Sequence, residues 1–345
     1  MLCSKVCRFL KGALSILSVL SVPAQAMEAM APQSPTRAPT GVMGAAAGMP
    51  GKWMFGYRLM HSEWNGNRAG RKKISPQHAQ ARFGYNLMPT DMNVNMHMFS
   101  LMHTPRKGVS VSLMAPYISK WMAMQRLTPG GAVADKFSMT SQGLGDIRTN
   151  AIIDLYSSGN HHAVLNFGLS APSGSIDRHS ATPISPSMKL PYIMQIGSGT
   201  WDLLPGLTYR GHYGAVGWGG QYRATLRLGK NSNDYARGDR HHLNLWAAYA
   251  WRPWFNISAR VLGAHWGDIE GSDPGLNPNM VQTADPQNYG GERVEGALGL
   301  NVKVPAGWLK GQRFGFEFMA PLYQNLNGLQ MDLDLRVLGG WRTMF

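Results

Sequence analysis

Cysteine is all but missing from this chain: Cys3 and Cys7 are the 2 in 345 residues. Both precede an apolar run from Ala13 to Val22, inside what reads as an export signal. Their loss with that signal leaves the mature protein without disulfides, thiolate metal ligands or thiol chemistry. Charge is also thin, with Asp, Glu, Lys and Arg at 15% of the residues against about 25% in typical soluble domains. After Val22 the sequence has no apolar run of about 18 residues, which excludes further membrane-spanning helices. The signatures of common catalysts are absent as well: no H-E-x-x-H, no G-x-S-x-G and no phosphate-binding G-x-x-x-x-G-K. No cofactor is expected from this inventory.

What is present begins with the leader. Lys5, Arg8 and Lys11 form a basic start, and Ala24-Gln25-Ala26 is a small-x-small cleavage site after the apolar run. This is the pattern of a secretory signal peptide over 1–26, cut after Ala26, and the run falls short of the roughly 20 residues of a retained anchor. Residues 27–50, rich in Ala, Pro, Gly and Met without a period, read as a flexible periplasmic segment. Without the signal the formal charge falls from +14 to about +11. That surplus suits phosphorylated lipopolysaccharide or anionic solutes, or else simply belongs to solvated loops.

From Lys52 the sequence alternates with period two. Trp53, Phe55, Tyr57 and Leu59 share one face, and Met54, Gly56, Arg58 and Met60 the other. Similar segments recur at about 92–104, 108–121, 143–157, 160–171, 199–211, 214–228, 239–252, 255–268, 290–304, 311–323 and 329–345. Hydrocarbon offers backbone groups no water, so strands with one lipid face and one polar face must close on themselves. The reading is an all-β protein, an antiparallel transmembrane β-barrel of about twelve strands over 51–345, in the outer membrane of a Gram-negative bacterium. Short connections alternate with long ones, which places both ends of the barrel in the periplasm and five sizeable loops outside. Expected partners are outer-membrane lipid, lipopolysaccharide, and the barrel-assembly machinery, which would recognise the last strand through Phe345. Nothing points to nucleic acid.

Charges on the faces opposite the apolar ones are the lumen-lining candidates. They are Asp146, Arg148 and Asp154, then Arg223 and Arg227, Arg293 and Glu295, Arg313 and Glu317, and Asp332, Asp334 and Arg336. Two roles fit: mutual pairing that fills a narrow interior, or a pore that selects solutes by charge. Trp53, Trp64, Tyr117, Trp121, Trp251, Trp254, Trp266, Trp308 and Trp341 lie near strand ends, as headgroup-level girdles require. Methionine is unusually frequent, at 22 residues. Met96, Met98 and Met102 lie near His97 and His103, a donor set for copper(I) or silver(I). The same three methionines share one strand face with the histidines on the other, which suits an apolar surface instead.

Several segments resemble one family. Gly143-Leu-Gly-Asp146, Pro172-Ser-Gly-Ser-Ile-Asp177, Leu190-Pro-Tyr-Ile-Met-Gln195, Gly197-Ser-Gly-Thr200, Asp202-Leu-Leu-Pro-Gly-Leu-Thr-Tyr209 and Leu276 to Pro286 resemble the meta-pathway phenol-degradation family of outer-membrane proteins. The resemblance covers about 41–345 and implies a transporter-like barrel, with aromatic compounds suggested by the family's name. The expected function is an outer-membrane transporter or channel for small hydrophobic or aromatic solutes by facilitated diffusion. The alternatives are a structural or soft-metal (copper or silver) barrel and, third, a lipase-type barrel enzyme, for which strand spacing singles out no nucleophile and base.

Overall fold

The computed structural model describes residues 36–183 and 185–345; the expected signal peptide lies outside them. In chain order the strands are β1 (Trp53–Gly70), β2 (Lys72–Ile74), β3 (Leu87–Arg106), β4 (Val109–Leu127), β5 (Val133–Leu144), β6 (Arg148–Ser158), β7 (His161–Ser170), β8 (His179–Ser180) and β9 (Met188–Lys189). There follow β10 (Trp201–Leu203), β11 (Gly206–Tyr213), β12 (Val216–Leu228), β13 (Tyr235–Ala236), β14 (Arg240–Arg252), β15 (Phe255–Trp266), β16 (Glu270–Gly271), β17 (Gly291–Lys303) and β18 (Arg313–Met344). One short helix, α1 (Pro76–Phe83), sits between β2 and β3, started by the Ser75 hydroxyl and stopped by Gly84 at φ +81°.

A closed ring runs β1-β3-β4-β6-β7-β11-β12-β14-β15-β17-β18 and back to β1, with every pair antiparallel. Eleven strands cannot alternate direction around a ring, and β18 resolves the conflict. Its first part, Arg313 to Leu326, pairs with β17, and its second, Leu326 to Met344, pairs with β1. The chain reverses near Gly328, at φ +60°, so β18 supplies two staves and the wall has the expected twelve.

Side chains alternate across that wall. Phe99, Leu101, Val111, Leu113, Phe167, Leu298 and Phe316 are exposed on the outer face, while Asn166, Thr208, Gln221, Arg260 and Glu317 are buried on the inner. An apolar outside around a polar inside is what a lipid solvent demands. Two-residue turns at 107–108, 159–160, 214–215 and 253–254 lie at one end. Trp53 and Phe345 exchange backbone bonds of 2.9 and 3.0 Å at that end and close the seam. The long connections gather at the other.

Two staves are built from broken pieces, and here the structure departs from the sequence reading. Met122 to Gln142 reads as a loop, yet β5 pairs with the upper half of β4. Its outward Lys136, Ser138, Thr140 and Gln142 are polar, so it stands above the apolar belt, and that concealed it. β5 and β6 share one stave along β4, interrupted at 145–147. β10 and β11 share another along β12, interrupted at Leu204 and Pro205. Because β7 ends at Ser170, the far edge of β5 has no strand partner among the described residues. The wall is therefore discontinuous at the long-loop end between β5 and β10, beside the exposed Leu144, Leu169 and Trp201.

Candidate functional site in the lumen

Residues 36–48, expected to be flexible, cross the lumen. Thr40 Oγ1 donates to Asn301 Oδ1 at 2.8 Å, and the Gly41 N–H reaches Glu317 Oε2 at 3.1 Å. Gln221 Nε2 donates to the Met43 carbonyl at 2.7 Å, Asn166 Nδ2 to the Gly44 carbonyl at 3.1 Å, and the Gly48 N–H meets Ser110 Oγ at 2.9 Å. These partners belong to β17, β18, β12, β7 and β4, on all sides of the ring. A chain of Pro, Gly and Ala has little side-chain bulk, so it threads a narrow bore, and polar wall groups satisfy its backbone. At Gly41 the fit is close: a Cβ would lie 2.3 Å from Arg260 Nη2, so that side chain would have to shift. A cavity of about 10 Å³ beside Thr36 and Arg37 has room for one water.

Around and above this plug the lumen has two unlike walls. On β3, β4 and β5 the inner face carries Met92, Met96, Met98, Met102, Met114, Met122 and Met139 with Val94 and Ile118. On β12 to β18 it carries Arg223, Arg227, Arg240, His242, Arg260, Arg293, Glu295, Glu317 and Arg336. Arg58 of β1 stands at their junction.

Four buried carboxylates of the wall are committed. Glu317 is held by Arg260 at 2.7 Å, Arg260 also reaching Asn244 at 2.7 Å. Glu295 is shared by Arg293 at 2.9 Å and Arg336 at 2.8 Å. Asp202, absent from the charges expected in the lumen, takes Arg227, and Asp332 takes Arg68 at 2.6 Å and Lys73 at 3.1 Å. Asp146 does not line the wall as expected. It sits in the stave break and accepts from the Gly174 N–H at 3.0 Å and from the N–H and hydroxyl of Ser198, both at 2.8 Å. Asp334 faces outward and is exposed, because a bulge between Glu63 and Trp64 of β1 shifts the register there. Asp154 is solvent-exposed near the short-turn end, where Arg313 and Arg342 line a second cavity of about 20 Å³. Among the described residues, Arg58, Arg148, Arg223 and Arg240 have no carboxylate partner, and Arg58 Nε is buried without any hydrogen bond.

The long-loop end is capped. Lys120, inward on β4, donates to the carbonyls of Ile193 and Gln195 at 2.7 and 2.8 Å, and Leu190, Met194 and Ile196 pack with Met92, Ile118 and Met122. The backbone crosses itself closely at Gly174, where a Cβ would meet Gly197 Cα at 2.7 Å. Lys189 ties this loop to the next, bonding Asp177 at 2.8 Å and Asp273 at 2.7 Å. Burial works against the Lys189 charge, but the two carboxylates outweigh it and raise its pKa. The hydrogen bond from Lys189 in turn holds Asp177 below its usual range. Tyr85 donates to Asp285 at 2.6 Å, and burial together with that bond pushes its pKa up to about 12. The Gly143, Pro172, Leu190, Gly197, Asp202 and Leu276 segments, scattered in sequence, thus converge on the stave break and the cap.

Met98 and Met102 are buried in the inner face and Met96 is partly so. His97 and His103 point outward to Tyr57 and Trp53. Among the described residues no group of three His, Asp or Glu is placed to hold a metal. Of the expected girdle, Trp53, Tyr117, Trp121, Trp251, Trp254 and Trp308 are exposed. Trp64 instead packs against the methionine cluster, and Trp266 lies under Arg293 at 5.2 Å. Both point inward, a strand face that terminal position alone does not reveal. Ser157 Oγ contacts His162 Nδ1 at 2.9 Å near the short-turn end, with no carboxylate bonded to that imidazole.

A family model described as "Putative MetA-pathway of phenol degradation" matches residues 75–275. No curated protein matches the sequence. Among solved structures, an outer membrane channel from Pseudomonas putida F1 is similar with a TM-score of 0.60 at 14% identity, covering 90% of this chain and 100% of that one. A KdgM porin (TM-score 0.39, 11% identity, 85% and 99% coverage) and a Pseudomonas aeruginosa FadL homologue (0.37, 10%, 85% and 89%) are more distant. The first of these likenesses supports the outer-membrane type of β-barrel fold.

Proposed function

The chain belongs to this phenol-degradation family, and from that premise we propose that it is an outer-membrane transport barrel passing small hydrophobic or aromatic solutes by facilitated diffusion. The observation that carries the reading is the nature of the obstruction. Side chains alone fill a barrel of about eight strands, and the bore widens with strand number, so a twelve-stave barrel has room for more than side chains. Here a main-chain segment, 36–48, crosses the bore on hydrogen bonds to the wall. Above it Arg58, Arg148, Arg223, Arg240 and His242 face inward and keep solvent contact. A stopper held by separable hydrogen bonds under a wetted chamber suits a gated path.

Solute reaches that chamber beside the cap, through the discontinuity between β5 and β10, which loop hydrogen bonds to Asp146 close but no strand ladder spans. The short-turn end faces the periplasm, and the exposed Lys72 and Lys73 at the other end meet lipopolysaccharide phosphates. The test is uptake of labelled benzoate into liposomes holding refolded protein. Flux above that of empty liposomes is expected; its absence, both in the unmodified protein and after the plug is loosened, would remove the transport reading.

A further inference from the structure

We propose that the chamber above the plug binds the anionic head group of an amphipathic solute, with Arg148, Arg223 and Arg240 as its ligands and the methionine wall against its apolar body. The inference deepens the transport reading and rests on it. Three observations carry it.

The first is a charge imbalance with a definite place. Arg223 pairs across the wall with His242, and Arg240 is two rungs further along the same two strands, beside Thr225. Arg148, Ser170, Asp202 and Arg227 form one continuous rung over β6, β7, β10 and β12. Within this group Asp202 is engaged by Arg227, and Asp146 is consumed by the loop backbone and Ser198. Among the described residues three guanidiniums therefore face the chamber with no hydrogen-bonded protein acceptor, Arg148 having only the already bonded Asp146 and Asp202 nearby. An uncompensated cation inside a low-dielectric wall is costly unless water or an anion meets it, and Arg presents a planar fork that matches a carboxylate.

The second is location. The Arg148 rung is the last paired rung below the discontinuity between β5 and β10, so a solute that enters there meets Arg148 first. The third is the adjoining methionine wall, in which Met114 is the cross-strand partner of Arg148. Met96 and Met114 face the same space and are only partly buried, offering polarizable, adaptable surface to a chain or a ring. One side for charge and one for hydrocarbon defines an amphipathic anion, such as an aryl or alkyl carboxylate, better than a neutral hydrocarbon.

The test compares decanoate with decanol on the full-length refolded protein at low salt, by titration calorimetry. Decanoate should bind more tightly than decanol. In the Arg223→Gln/Arg240→Gln double variant its affinity should fall about tenfold or more, since hydrogen bonds to charged groups are among the strong ones, with decanol unchanged. The Arg223→Lys/Arg240→Lys variant should keep part of the preference. Correct folding is read from heat-modifiable gel mobility. If the double variant does not fold, Arg240→Gln alone, at a solvent-exposed side chain, carries the comparison. Equal affinity for decanoate and decanol, or decanoate binding untouched by loss of the guanidiniums, overturns the proposal. Benzoate flux separates the two claims: flux with no charge preference removes the anion site alone, whereas decanoate preference without any flux removes transport and leaves the site.

Discussion

Along β3 and β4 the lumen meets Met92, Met98, Met102 and Met122, buried side chains that carry no charge. Across the bore, β15 to β18 present Arg260, Glu295 and Glu317, equally buried and almost all charge. Both walls follow the same period-two rule, so alternation does not distinguish them. What differs is how each tolerates change. Thioethers fill space by adapting, and one can replace another. The ionic wall is a set of specific pairs in which each member leaves its partner stranded if removed.

The contrast predicts a graded series. Arg260→Ala strands Glu317 and the Gly41 N–H contact together, and should cost about 3–5 kcal/mol, measured by urea unfolding of the refolded barrel. A loss below about 1 kcal/mol would show that the ionic wall is no more demanding than the other. Asp146→Ala removes the acceptor for three donors at the stave break and should cost on the order of 2–3 kcal/mol. It should also raise hydrogen exchange at Gly174 and Ser198, and unaltered exchange there would mean that the break is closed by something else. Met122→Leu, a volume-conserving change at a fully buried site, should cost less than about 1.5 kcal/mol, whereas Met122→Ala should cost about 2–5 kcal/mol. A large loss with Leu would mean that the thioether sulfur has a specific role.

The smallest effect concerns the cap. Asp177 titrates below its ordinary range because of Lys189. A carboxylate with a depressed folded-state pKa adds stability above its unfolded pKa and loses it as pH falls through the depressed value. The Asp177–Lys189 tie within the 171–200 loop should therefore be intact from neutral pH down to about 4 and weaken below that. Protease cleavage within 171–200 should rise in that acidic window and not at pH 6. An equal rise in Asp177→Asn, which lacks the titrating group, would contradict the assignment.

The barrel was legible because lipid enforces a strict alternation. Trp53 to Met60 and Leu333 to Phe345 show it so plainly that faces, seam and stave number follow. Legibility failed where that constraint lapses. β5 stands in water with polar residues outward, so its periodicity resembles a loop. Asp334 faces outward because it is the extra, unpaired residue of a bulge, which strict period-two counting cannot anticipate. Asp146 lies on a period-two segment, but the chain breaks beneath it at Gly145, and the repeated Gly-x-Gly next to buried polar residues was the available signal. The plug was missed for another reason: Pro, Gly and Ala without a period describe a disordered tail and a thread through a polar bore equally well. Only the donors and acceptors of the surrounding wall distinguish the two. Asp202 heads a segment that carries the family resemblance, but its pairing with Arg227 becomes visible only when β10 lies beside β12.

The central claim is that the segment 36–48 closes a path between the two walls. Single-channel conductance of the full-length protein and its Gly41→Pro variant tests this most directly. The substitution removes the N–H that bonds Glu317 and adds bulk where even a Cβ lies 2.3 Å from Arg260. The account predicts a small or intermittent conductance in the unmodified protein and a larger, anion-preferring one in a correctly folded Gly41→Pro barrel. Identical conductance and selectivity in the two would contradict it.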